Sequence, residues 1–116
     1  MRAELKGLHS PDPEPTAASP LEQRDTLFVQ LLIGPAGEPG EESFGIMVCT
    51  PKGLQRLVDE HGPISGRHYL FVESIDLGFI QKHVENFLGR LDEPSWPELA
   101  GKVARFGHWE FEDYNA

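Results

Sequence analysis

The chain has 116 residues, and its 19 Asp+Glu against 10 Lys+Arg leave a formal charge of −9 at pH 7. That length supports one domain with a modest core, and that charge opposes nonspecific binding to nucleic acid or anionic membrane, since both are polyanions. A single cysteine, Cys49, excludes an internal disulfide and a cysteine-built zinc site.

Residues 1–8 alternate, with Met1, Ala3 and Leu5 facing one way and Arg2, Glu4 and Lys6 the other. This predicts a half-buried strand and leaves no apolar core for a signal peptide. No later stretch approaches the roughly 20 apolar residues of a membrane span, so a reducing, cytoplasmic location is the expectation. Next comes SPDPEPTAASP at 10–20, whose four prolines remove amide donors and fix φ. The 10–25 segment is therefore a polyproline-like or disordered insertion within one domain, 1–116. TLFVQLLI at 26–33 sets Leu27, Val29, Leu31 and Ile33 on one strand face. GPAGEPGEE at 34–42 is a turn region. SFGIMVC at 43–49 is apolar on both faces and predicts a central strand.

Thr50 caps a helix whose first turn takes Pro51. Leu54, Leu57, Val58 and His61 recur at helical spacing, and Gly62–Pro63 stop it. GRHYLFVES at 66–74 is a fourth strand. Asp76 caps a longer helix with Leu77, Ile80, Val84, Phe87, Leu88 and Leu91 on one stripe. Ser95 and Glu98 have capping-box spacing and open a short helix with Trp96, Leu99, Val103 and Phe106 inward. HWEFEDY, 108–114, alternates as a possible last strand. The order β-β-β-α-β-α-α, with a possible final β, predicts an α+β fold. A mainly antiparallel sheet of four to five strands carries helices on one face.

No catalytic motif stands out. His9, His61, His68, His83 and His108 fall on different elements and form no metal-ligand pair, so neither a metal nor another cofactor is expected. Cys49 ends an apolar strand, which favours a buried structural thiol over a nucleophile. The paired carboxylates Glu41–Glu42, Asp59–Glu60, Asp92–Glu93 and Glu112–Asp113 are expected to point to solvent.

Three stretches, SFGIMVCTPKGL (43–54), GRHYLFVE (66–73) and FGHWEFEDY (106–114), together resemble the Immunity protein 8 family of bacterial polymorphic toxin systems. Phe44, Val48, Thr50, Pro51 and Leu54 stand where that family's strand-to-helix junction has them. Gly66–Tyr69 look like the family's G-R-H-Y stretch, and Trp109 like its terminal tryptophan. Gly53 departs from the pattern, because a large residue, often tryptophan, is expected before the leucine. The resemblance implies a non-enzymatic antidote. Such a protein binds a cognate toxin domain, often a nuclease, and blocks its active site or its access to substrate. Neither nucleic acid nor membrane is an expected partner. A −9 protein suits a basic nuclease surface, and HWEFEDY mixes aromatic anchors with carboxylates. If that segment is a strand, Trp109 and Phe111 face the core. Glu110, Glu112 and Tyr114 then face outward and are the first candidate contacts. The turn residues Glu38, Glu41 and Glu42 form a second candidate surface, and Glu73 with Asp76 a third. The rival reading is an adaptor that presents its proline-rich loop to a recognition module.

Overall fold

Alternation along β2 (Thr26–Pro35) turns Leu27, Val29, Leu31 and Ile33 to one side. All four are buried in the computed structural model, which describes residues 1–111. β2 pairs antiparallel with β1 (Ala3–His9) on one edge and with β3 (Glu42–Cys49) on the other. The far edge of β3 is shared by two short strands. β4 (Tyr69–Phe71) runs parallel to Met47–Cys49, and β5 (His108–Trp109) runs antiparallel to Phe44–Gly45. The result is the expected α+β protein, with a five-stranded, mainly antiparallel sheet.

One irregularity sets the facing of β1. Pairing passes from Leu5↔Ile33 to Gly7↔Leu32, so Lys6 is an extra residue, a β-bulge. Past it the alternation shifts by one, and Leu5 and Leu8 both pack against the core while Gly7 lies under Leu32.

Helices α1 (Pro51–His61), α2 (Leu77–Leu88) and α3 (Trp96–Val103) start where their caps predict. Gly53 N–H donates to Thr50 Oγ1 at 3.1 Å, Phe79 N–H to Asp76 Oδ1 at 3.1 Å, and Glu98 N–H to Ser95 Oγ at 3.4 Å. Each bond satisfies one of the amides that a helix start leaves without an intrahelical partner. Ile80, Val84 and Leu88 of α2, with Ala100 and Val103 of α3, close over Val29, Leu31, Phe44, Ile46 and Val48 as one core. α1 is looser, since Gly53 is its one buried residue and Val58 is exposed.

Three expectations shift. Of residues 66–74 only Tyr69–Phe71 pair as strand, because β5 takes the start of the β3 edge and β3 itself ends at Cys49, opposite Phe71. Leu77 is not inward but 39% exposed, at the very start of α2. The proline-rich segment is not a free coil. Arg24 donates to the carbonyls of Pro13, Glu14 and Ser19 and to Ser19 Oγ, and a short 3-10 turn, Leu21–Gln23, brings Leu21 against the core. The sheet thus has two distinct ends. The hairpin end holds the β2–β3 turn and β5. The loop end holds residues 10–25, the start of α1 and the 72–76 connection.

Candidate functional site

At the hairpin end, Glu41 is exposed on the turn. Glu42, one residue on, shares the inward register of Phe44, Ile46 and Val48, so its carboxylate has to find donors on a half-buried face. Two indoles supply them. Trp96 Nε1 donates to Oε1 at 2.9 Å and Trp109 Nε1 to Oε2 at 2.6 Å. One carboxylate therefore ties the start of α3 to β5. Trp109 stacks on Phe44 (centroids 6.2 Å, planes 11° apart), and Phe111 meets the indole edge-on at 5.9 Å. Trp109 is thus half-buried as expected, while Phe111 beyond it is 42% exposed.

Glu110 extends this pairing past the strand. Its N–H donates to Ser43 O at 3.1 Å, and its Oε1 accepts from Ser43 N–H at 2.8 Å. It remains exposed. The fold therefore brings Glu41, Glu42 and Glu110 to one end of the sheet. Glu112 and Tyr114 lie outside the described residues.

Glu73 and Asp76 sit at the opposite end. Asp76 spends its carboxylate on the α2 cap. Glu73 is exposed and lines an open cleft of about 480 Å³ with Glu22, Asp25, Thr50 and Lys52. In the cleft wall, Asp25 pairs with Arg56 and accepts from Thr50 Oγ1 at 3.1 Å.

Cys49 is buried, its Sγ 3.3 Å from Thr50 O. Burial pushes its thiol up from the ordinary range, the Asp25 carboxylate adds to that, and Arg56 opposes it. A neutral, enclosed thiol is a poor nucleophile. Among the described residues no group of three or more His, Cys, Asp and Glu is placed to hold a metal ion. His68 is a packing histidine. Its Nε2 lies 2.7 Å from Ala104 O, and its ring meets that of His108 edge-on at 5.6 Å.

Sequence reasoning missed the tie from Glu42 to Trp96 and Trp109. The available signal was phase: counting back by twos from Val48 places Glu42 on the inner face.

These features define a class, a small acidic α+β protein with clustered aromatics and exposed carboxylates at the hairpin end of its sheet and further carboxylates at the loop end. The model of one family, Immunity protein 8, matches residues 3–114, and the chain belongs to that family. The match starts at residue 3, so it takes in β1 and β2 as well as the motifs from residue 43 onward. No curated protein and no solved structure matches the chain. Among the described residues no helix is long and apolar enough to cross a membrane.

Proposed function

We propose that this chain is a non-catalytic antidote that binds the toxic domain of a cognate polymorphic toxin in the cytoplasm, the toxin being a nuclease. The observation that carries the reading is the family match over residues 3–114. The −9 charge supports a basic target, because a nuclease must itself attract a polyanion. The enclosed, neutral Cys49 supports a binding role over catalysis.

In this reading the toxin meets the hairpin end first. Glu41 and Glu110 present exposed carboxylates there, and Glu112 and Tyr114 follow in sequence. Glu42 acts at this surface by holding both indoles in place. Glu73 and Asp76 form a second acidic contact at the loop end. Inhibition follows from occupying the nuclease's substrate cleft or the approach to it.

The test is growth rescue. A toxic C-terminal domain found encoded beside this gene is expressed in a susceptible cell, with and without this chain. Restored growth together with co-purification of the two proteins is the expected result. Killing that persists beside abundant soluble antidote defeats the pairing.

A further inference from the structure

The two faces of the sheet are built differently. α2 and α3 close over the inner face, where Val29, Leu31, Phe44, Ile46 and Val48 are at most 1% exposed. On the outer face Phe28, Gln30, Leu32, Met47 and Tyr69 are only half-buried, and Phe71 is 53% exposed. The register sets these residues in rows: Phe28 beside Met47 and Tyr69, Gln30 beside Gly45, and Leu32 beside Ser43. The Phe28 ring lies across Gly45, where a Cβ would stand 2.7 Å from it, and the rings of Tyr69 and Phe71 stack at 6.0 Å. The start of α1 covers the row at the loop end, where Gly53 lies against Thr26. An apolar patch that crosses three strands stays open beyond it.

Among the described residues, β2, β3 and β4 present no Asp, Glu, Lys or Arg to this side, although 25% of the chain is charged. A sheet face that meets only water alternates polar residues outward. A contiguous apolar face left open on a small protein marks a surface that another molecule covers. Its rim at the hairpin end is acidic. A Cβ on Gly34 would collide with Gly40 O, so the β2–β3 turn rests on the outer side of the sheet. The turn carries Glu38 and Glu41, with Glu110 opposite Ser43 and Glu4 opposite Gly34 beside it. Lys6 donates to Glu38 O, and Arg67 precedes β4. With both cations counted, Glu4, Glu38, Glu41 and Glu110 still outnumber them. Arg2 and Glu42 turn to the other side, toward Gly89 O and the two indoles.

These two features together select the occupant. An uncharged apolar centre inside a charged rim is how protein–protein interfaces are built. The excess of carboxylates on the rim calls for a basic partner, and it repels nucleic acid and anionic lipid. A second copy of this chain fits less well, because stacking the two faces would set a charge of −9 against −9.

We propose that the toxin domain covers this outer sheet face, seating apolar side chains on Phe28, Leu32, Met47, Tyr69 and Phe71 and setting basic side chains against Glu41 and Glu110. This rests on the immunity reading above and adds the face on which the toxin lies. The experiment measures the affinity of the full chain, and of three variants, for the toxic domain used in the rescue test. Phe71→Ala removes the most exposed ring of the outer face. Gln30→Arg sets a bulky cation at its middle. Phe79→Ala removes a ring that is 73% exposed on the helical layer and is the control. Thermal unfolding establishes that each variant is folded, and if Gln30→Arg is not, Phe71→Ala at its exposed site decides alone. Expected are affinities lowered about tenfold by Phe71→Ala and by Gln30→Arg, and no change with Phe79→Ala. A complex that the folded outer-face variants leave intact overturns the proposal and leaves the immunity reading standing. An equal loss with Phe79→Ala also overturns it. A dimer of the chain alone, seen by light scattering and dissolved by Phe71→Ala, assigns the face to a second copy and overturns the proposal as well. If the wild-type chain forms no complex, the immunity reading falls and takes the proposal with it.

Discussion

A carboxylate on the inward face of a strand is stabilised only by the donors it finds, and Glu42 finds two indole N–H groups from elements far apart in sequence. The charge makes both bonds stronger than their neutral counterparts. Removing it leaves two half-buried donors without acceptors, which costs more than the net gain of a typical hydrogen bond. Glu42→Ala is therefore expected to destabilise the chain by about 2–3 kcal/mol, and Glu42→Gln, which keeps one acceptor oxygen, by about 1 kcal/mol. Urea unfolding followed by tryptophan fluorescence measures both, and Trp96 and Trp109 report the site directly. Equal, negligible losses would mean that the indoles do not depend on the carboxylate. Asp92, by contrast, acts at the surface. The N-terminal ammonium donates to it at 3.0 Å and holds its carboxyl below the usual carboxylate range.

At the scale of elements, most of the fold can be read from local chemistry. The alternation of β2 and the caps Thr50, Asp76 and Ser95 each act within a few residues, so each strand or helix start follows from its own segment. What could not be read depends on distant partners. GRHYLFVES has the composition of a nine-residue strand, but β3 offers it only the edge between β5 and its own end at Cys49. The Lys6 bulge appears only once β1 is laid against β2. At the candidate site, the exposure of Glu41 and Glu110 follows from turn and strand position, whereas the Glu42 tie needs α3 and β5 to converge.

Gly53 belongs with the distant effects. The family resemblance predicts a large residue there, but a Cβ at this position would stand 2.2 Å from Asp25 O and 2.9 Å from Thr26 Cγ2. Thr50 N–H and Oγ1 both bond Asp25 as well, so the end of the proline-rich loop closes on the start of α1. A glycine leaves room for that closure. Alanine normally gains about 1 kcal/mol over glycine inside a helix. Gly53→Ala should instead lose about 1–3 kcal/mol, because the nearest colliding atoms, the carbonyl O and C of Asp25, are backbone and cannot swing aside. Gly101, in α3, has open space around its missing Cβ, so Gly101→Ala should gain about 0.5–1 kcal/mol. Thermal unfolding of the two variants gives opposite signs if this holds. A stabilised Gly53→Ala would show that the loop end does not press on α1.

Over the whole molecule, the negative charge is unevenly placed. Residues 76–106, which carry α2 and α3, hold five carboxylates against four Lys and Arg, while the rest of the chain holds fourteen against six. The helical layer is close to neutral, and the field comes from the sheet, its two ends and the C-terminal segment. A basic partner is therefore steered toward those ends before any contact forms, and the steering weakens as salt shortens its range to about 8 Å near physiological ionic strength. Local contacts made after encounter act mainly on dissociation. The two effects can be separated with the toxin domain as ligand. Reversing Glu41 and Glu110 together (E41K/E110K) should slow association about tenfold or more at low salt and flatten its salt dependence. Reversing Glu85 and Glu98 on the helical layer should change the rate far less, since four cations already offset that layer. Stopped-flow mixing across a salt series measures both. If the helical-layer pair slows association as much as the hairpin-end pair, steering depends on total charge alone, and the hairpin end loses its place as the first point of contact.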